Sequence, residues 1–388
     1  MNQKEAIKKL WTEVFHDSKE YVDMYFDRVY RDADALTVVT DGKLESSMLL
    51  QSYRFLYQGS DVGMGYIAGA MTRRSSRGKG LMGNLIKESF IRTYERGDML
   101  VSLIPSHDWL YFYYDRFGFS TVFYTDPQRF TSLHQFPAES TYTPVDDIYS
   151  DKVFEAFQRM ERQRQCTVLH SHRDFLNIMD DNRNDSGKFV AMADADGNIV
   201  SMAWAVARPD MVTVTELLGD SQEARDAACH ELRKLLPDCP FKVLAPPLAE
   251  HRRLYDRGMG RIINADLCLR LAAKNNPKWH SHIRITDPLI AANNQVWEIS
   301  DGQSTAITER YYALPGDERP RLDLDIPINV FNEIVFSAQK MGDIIGFPPH
   351  PPLTRLMLDR VHPTPNTNSP HRDSQRHQRW GESLIIRK

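Results

Sequence analysis

The stretch Met71-Thr72-Arg73-Arg74-Ser75-Ser76-Arg77-Gly78-Lys79-Gly80-Leu81-Met82-Gly83-Asn84-Leu85-Ile86 decides how the rest of the chain is read. Ile67 to Thr72 reads as the apolar end of a strand, and Arg77 to Gly83 as a loop rich in glycine and cations. Leu81, Leu85 and Ile86 then begin a helical apolar stripe, so the helix opens at the loop. Gly78 and Gly80 let backbone N–H groups come close to an anion, and the free N–H groups and dipole of the helix start favour negative charge. A pyrophosphate fits such a cradle. An ordinary strand-to-helix turn uses the same residues, so the loop alone does not decide. No Ser or Thr follows Lys79, and the dinucleotide spacing of glycines is incomplete, which disfavours nucleoside triphosphates and NAD.

Working outward, Leu100-Val101-Ser102-Leu103-Ile104 reads as a buried strand and Trp109 to Phe117 as an aromatic-rich helix that stops at Gly118. Upstream, Ile7, Leu10, Trp11, Val14 and Phe15 follow helical spacing, and Ser18 caps a second helix running to about Tyr30. Ala35 to Thr40 and Leu44 to Arg54 form a hairpin about Asp41-Gly42-Lys43, and the glycine-rich strand Val62 to Thr72 follows.

An Arg77-Gly78-Lys79-Gly80-Leu81-Met82 loop followed in order by Tyr114-Asp115-Arg116-Phe117-Gly118-Phe119 resembles the GCN5-related N-acetyltransferase (GNAT) superfamily. Its signature is Arg/Gln-x-x-Gly-x-Gly/Ala and then Tyr-x-x-x-Gly-Phe. Met82 stands where the last small residue of the loop is usual, an ending similar to that of the enhanced-intracellular-survival (Eis)-like enzymes. That resemblance implies an α+β chain with two GNAT folds in tandem and a C-terminal domain like sterol carrier protein. With the order of elements it gives a catalytic GNAT domain at 1–126, a degenerate copy at 127–274 and the sterol-carrier-like domain at 275–360, while the low apolar content past Arg360 reads as a polar tail, partly disordered, at 361–388.

The residues give the later boundaries some content. Helices are expected at Asp151 to Gln163, near Phe175 and at Ser221 to Leu236, with strands at Lys188 to Ala193, Ile199 to Ala207 and Val212 to Leu218. Tyr255-Asp256-Arg257-Gly258-Met259-Gly260 echoes the first Tyr-Asp-Arg motif, and Leu218-Gly219-Asp220-Ser221-Gln222-Glu223 offers one glycine and acidic residues where a phosphate cradle needs glycines and cations. The second copy is therefore read as unable to bind cofactor. Past Pro277, His282 to Pro288 and Gln295 to Ser300 alternate as short strands, and a helix is expected at Asn329 to Gln339. A fold like a lipid carrier need not carry lipid, and packing for assembly is the alternative.

At 388 residues with 41% apolar content, the chain exceeds the roughly 250–300 residues at which single cores stop growing, so several domains follow. A formal charge of −4 gives no global attraction to nucleic acid or membrane surfaces. No run approaches the roughly 20 apolar residues of a membrane span, and Met1 to Glu5 lacks a signal-peptide core, so a cytoplasmic location is expected. Cys166, Cys229, Cys239 and Cys268 form no zinc pattern and read as reduced and buried. His362, His371 and His377 lie in a polar tail, so no metal is assigned.

The resemblance implies acetyl transfer from acetyl-CoA to a primary amine by direct attack. The N–H groups of Arg77, Gly78, Lys79, Gly80, Leu81, Met82 and Gly83 would hold the pyrophosphate, with charge added by Arg77 and Lys79. Backbone groups of Ala70, Met71 and Thr72 would pair with the pantetheine amides, Ser106 would lie beside that arm, and Tyr114 would act as general acid to the thiolate. A phenol with an ordinary pKa of about 10 suits that role, although the position also suits packing. Gly65 to Thr72 holds no carboxylate to serve as base; water, backbone carbonyls, His107 or, as the resemblance implies, the terminal carboxylate of Lys388 are the alternatives. Polyamine-like or aminoglycoside-like acceptors, or lysine and peptide amines, are implied, with Asp23, Tyr25, Phe26, Asp27 and Trp109 as candidates for a cationic acceptor's pocket. The resemblance also implies a homo-oligomer, a hexamer in that family. A scaffold or lipid carrier built from retained GNAT folds is the rival reading.

Overall fold

The computed structural model describes residues 2–137, 141–164, 166–245 and 255–336. Asn2 caps the first helix, α1 (Gln3–Phe15), by accepting from the Glu5 N–H, and Ser18 caps α2 (Lys19–Arg28) through Tyr21 N–H. Their apolar stripes, Ile7, Leu10 and Trp11 on α1 and Val22, Tyr25 and Phe26 on α2, close one core with Leu49, Met64 and Ala68. β1 (Ala35–Thr40) and β2 (Lys43–Tyr57) form the expected hairpin, with Asp41 and Gly42 both at positive φ. β3 (Ser60–Thr72) returns antiparallel to β2, followed by α3 (Leu81–Glu95), β4 (Leu100–Leu103) parallel to β3, α4 (Asp108–Asp115) and β5 (Ser120–Phe130).

The second half runs through β6 (Thr143–Pro144), α5 (Asp151–Arg162), β7 (Cys166–Leu169) and α6 (His172–Asn184). A meander then follows, β8 (Lys188–Ala193), β9 (Ile199–Arg208) and β10 (Met211–Gly219). The helix α7 (Gln222–Leu235) leads to β11 (Phe241–Ala245), parallel to β10. After β12 (Tyr255–Ile262) and α8 (Ala265–Asn275) comes a separate four-stranded sheet.

Three strands, a helix and a parallel strand thus occur twice, as β1-β2-β3-α3-β4 and as β8-β9-β10-α7-β11. Both belong to one twelve-stranded sheet of order β1-β2-β3-β4-β12-β5-β11-β10-β9-β8-β6, with β7 on β2. The strands that follow are exchanged. β12, late in the sequence, pairs with β4 on one side and with Ser120–Thr125 of β5 on the other, while residues 126–130 of β5 pair with β11. This corrects the motif echo at Tyr255 to Gly260, which is strand, whereas Tyr114 to Phe119 is a helix end and turn. Gly258 and Gly260 serve close packing, since a Cβ there would stand 3.1 Å from Phe123 Cδ2 and 2.6 Å from Val122 Cγ2.

The last sheet contains β13 (Ser281–Thr286), β14 (Gln295–Ser300), β15 (Gln303–Ala306) and, after α9 (Thr308–Ala313), β16 (Leu324–Pro327), in the order β15-β14-β13-β16. α10 (Ile328–Phe336) inserts Phe331, Ile334 and Phe336 into the core shared with Phe55 and Tyr57. The tail histidines and Lys388 lie outside the described residues. Among those described, the four cysteines are buried without disulfides, no helix is long and apolar enough to cross a membrane, and no His, Cys, Asp and Glu group has metal-site geometry.

Candidate active site

β3 and β4 run side by side from Met64–Leu100 to Ile67–Leu103, where their pairing stops. β3 continues to Thr72, still held on its far edge by β2. The divergence begins at a bulge: Leu49 pairs with Ala68 and Ser47 with Met71, so Gly69 and Ala70 together face Met48. Gly69 has φ +57, and a Cβ there would stand 2.2 Å from Cζ3 of Trp11. The indole therefore lies directly against the bulge and is itself fixed by donating to Asp17 over 2.8 Å. Past the bulge, the buried Ser46 hydroxyl donates to Met71 O over 3.0 Å and lies 2.9 Å from Thr72 Oγ1.

From Thr72 the chain makes a short 3-10 turn, Arg74–Ser76, and reaches α3 through Gly78 and Gly80, at φ +79 and +77. Both need glycine, because the left-handed region is costly for other residues. No side chain caps α3, its first turn holds no acid, and a Cβ on either glycine would meet nothing within 4 Å. Arg77, Gly78, Lys79 and Gly80 are exposed, with Leu81, Met82 and Gly83 half-buried behind them. The junction is thus an open cradle with its N–H groups unclaimed by side-chain caps, which fits an anionic phosphate group. Its counterpart at α7 differs: Ser221 caps the helix through Ala224 N–H, and Asp220 accepts from Arg159 and Gln163 over 2.7 and 2.9 Å.

The cradle rests on side chains not assigned from the sequence. Glu45 Oε2 accepts from the Ser76 hydroxyl over 2.6 Å; that bond, with Lys43, Arg73 and Lys79 nearby, holds its carboxyl below the usual range. Arg73 donates its N–H to Glu45 O over 2.8 Å and its guanidinium to Glu13 over 2.5 Å. Arg77 Nε donates to Thr72 O over 3.2 Å, so it also braces the strand end. Arg73, Arg74 and Arg77 line a cavity of about 610 Å³ with Glu13, Val14 and His16. The doublet Arg73-Arg74 was the available sequence signal for this cationic wall. Gly83 has a packing role: a Cβ would approach Phe117 Cζ to 3.1 Å.

Tyr114 is buried in one cluster with Ile67, Leu103, Ile86 and Phe119, against which Ala70, Met82 and Phe117 also pack. The end of β3, the helix α3 and the Tyr-x-x-x-Gly-Phe motif therefore converge. Burial, with Tyr113 beside it, pushes the Tyr114 phenol well above its ordinary value, so it keeps its proton at neutral pH. Ser106 and His107 are exposed at the start of α4, with Ser106 Oγ 2.9 Å from His107 Nδ1.

The acceptor-pocket candidates do not converge. Asp23 accepts from Lys8 and Lys19 over 2.7 and 2.5 Å, and those bonds hold its carboxyl down at about 2. Tyr25 and Phe26 pack around Trp11 in the core, while Trp109 is 63% exposed on α4. Asp23, Phe26 and Asp27 do line a cavity of about 460 Å³, but Lys4, Lys8, Arg28 and Arg183 share its wall. Helical spacing could not reveal that Asp23 was already paired.

Comparison with known proteins accords with this geometry. The family model for the acetyltransferase (GNAT) domain matches residues 2–122. No curated protein matches the chain by sequence. Among solved structures, Eis1 from Mycobacterium abscessus superposes with a TM-score of 0.67 at 13% identity, covering 89% of this chain and 90% of that one. A GCN5-related N-acetyltransferase from Anabaena variabilis gives 0.70 at 13% identity, covering 91% and 97%. A probable N-acyltransferase from Enterococcus faecalis gives 0.68 at 13% identity, covering 88% and 90%. Residues 2–122 thus match the acetyltransferase (GNAT) domain family, and the chain as a whole shares the fold of Eis1 and of the Anabaena protein.

Proposed function

We propose that the chain transfers an acetyl group from acetyl-CoA to the primary amine of a small cationic molecule, polyamine-like or aminoglycoside-like, or to a lysine or peptide amine. The observation that carries this reading is the parting of β3 from β4 at Ile67–Leu103, immediately before the uncapped start of α3. The donor is an acyl-CoA in this superfamily, and the residues present suit one. Its pyrophosphate binds the N–H groups from Gly78 to Gly83, the Arg77 N–H being turned back to Arg74 O over 3.4 Å, with Lys79 and Arg77 adding charge. Its pantetheine arm takes the strand position that β4 vacates, pairing with Ala70, Met71 and Thr72 and passing Ser106.

The amine nitrogen attacks the thioester carbonyl carbon while an N–H beside the Gly69 bulge donates to the developing oxyanion. The C–S bond then breaks, Tyr114 gives its proton to the leaving sulfur, and the ammonium proton passes to water or to His107. The four-stranded sheet is read as part of an assembly domain of sterol-carrier-like fold within a homo-oligomer. Calorimetric titration of acetyl-CoA tests the site: the wild type binds, and a folded Arg77→Glu, Gly80→Glu variant does not. Thiol release screened over polyamines, aminoglycosides and lysine peptides then identifies the acceptor. No binding by the folded wild type would sink the reading and favour a scaffold or carrier.

A further inference from the structure

The turn that ends the Tyr-x-x-x-Gly-Phe motif is held by residues more than 140 positions later in the chain. Arg261, on β12 and fully buried, donates from Nε to Phe117 O over 2.8 Å and from Nη1 to Ile262 O over 3.2 Å. Its Nη2 reaches Asp287 Oδ1 over 2.6 Å, and its guanidinium lies 4.4 Å above the Phe90 ring. Asp287 is fixed in turn by the N–H groups of Leu289 and Ile290 and by Asn293. Asn332 of α10, also fully buried, donates to Gly118 O over 2.7 Å and accepts from Ile262 N–H over 2.9 Å. The carbonyls of Phe117 and Gly118 are thereby claimed by two side chains that also share the backbone of Ile262.

The contact leaves no slack. Gly118 has φ +79, and a Cβ on it would stand 3.0 Å from Ile328 Cγ2 and 3.1 Å from Arg261 Nε. The carbonyl of Tyr114 itself accepts from Phe117 N–H over 2.9 Å and Phe119 N–H over 3.4 Å. Moving Phe117 or Gly118 therefore moves the backbone of Tyr114. A buried guanidinium is costly to desolvate unless its donors are satisfied, and here Phe117, Ile262 and Asp287, all at this junction, accept from it.

We propose that Arg261 and Asn332 are positioning residues for Tyr114, so that β12 and α10 set the place of the general acid that the first 122 residues carry. The inference rests on the proposed role of Tyr114. Neither residue reaches the reacting atoms; both act by fixing the turn from which Tyr114 projects, and sub-ångström misplacement of such a group is expensive in rate.

The test uses the full chain with 3-fluorotyrosine incorporated at position 114, in Asn332→Leu and in Arg261→Met/Asp287→Asn, which removes both buried charges together. Folding is checked by circular dichroism and by acetyl-CoA affinity, expected within about threefold of wild type. The ¹⁹F resonance of residue 114 shifts or broadens in both variants, and an unchanged resonance in the folded variants overturns the proposal. With acetyl-CoA and the best amine of the acceptor screen, kcat falls at least about tenfold at little-changed KM. In the Tyr114→Phe background the same changes cost nothing more. A fall that persists in full in that background overturns the positioning role and leaves the acid standing. Full activity in Tyr114→Phe overturns the acid itself and the positioning role with it.

Discussion

Gly80 and Gly118 share a left-handed backbone but differ in surroundings, which separates two costs usually measured together. A Cβ at Gly80 enters open space, so Gly80→Ala carries only the conformational penalty, about 1 kcal/mol. At Gly118 the same change also presses on Ile328 and Arg261, and about 2 kcal/mol or more is expected. Urea midpoints of the two variants decide it; equal losses would mean that the Gly118 contact is soft. A second residue-scale case is His170, whose Nδ1 lies 2.5 Å from Glu161 Oε1 with both side chains buried. Burial alone would lower the imidazole's pKa, but Glu161, aided by Asp174 and Glu216, outweighs it and holds it above the ordinary value. The sign follows: the stabilisation is fully present below about pH 6.5, the unfolded value, and is lost as pH rises through the raised folded value. The stability gap between wild type and His170→Gln should therefore narrow from pH 6.5 upward, and a gap that widens would contradict the pairing.

At the scale of elements, the β3 bulge depends on Trp11 of α1 as much as on its own glycine. Gly69→Ala drives a methyl into the indole, so a loss of about 1–3 kcal/mol is expected, together with at least tenfold weaker acetyl-CoA binding. Trp11→Leu in the same chain should recover part of both; no recovery would show that the bulge fails for another reason. Most elements were legible in the sequence because their signals are local. Ser18 before α2, Asp41-Gly42 in the first hairpin and Gly78 to Leu81 at α3 each announce themselves within a few residues. The exchange of β5 and β12 was not legible, since nothing in Tyr255 to Ile262 states which strand will be its neighbour. For the same reason Tyr255 to Gly260 reads in sequence as a second motif: its letters match, while its glycines answer to Phe123 and Val122. Asn332 and Arg261 carry no signal in the sequence, where a buried polar residue looks like any exposed one.

At the scale of the molecule, the segment that matches the acetyltransferase family is shorter than the unit that can fold. β4 has β3 on one side and β12 on the other, so a chain ending at Phe130 leaves β4 as a bare edge and β5 without either neighbour. Residues 1–130 expressed alone should lack a cooperative urea transition. Cooperative unfolding of that fragment would refute the dependence.

The inserted strand also has a consequence in time. A ribosome delivers β4 and β5 well over a hundred residues before β12. At about 5–20 residues per second, the two wait on the order of ten seconds for the strand that joins them. Through that interval the apolar strand Leu100–Leu103 leaves the tunnel with one side of its ladder unfilled, a template for any neighbouring nascent chain. Translation speed between residues 130 and 262, and the chaperones met there, then govern how much soluble enzyme a cell obtains.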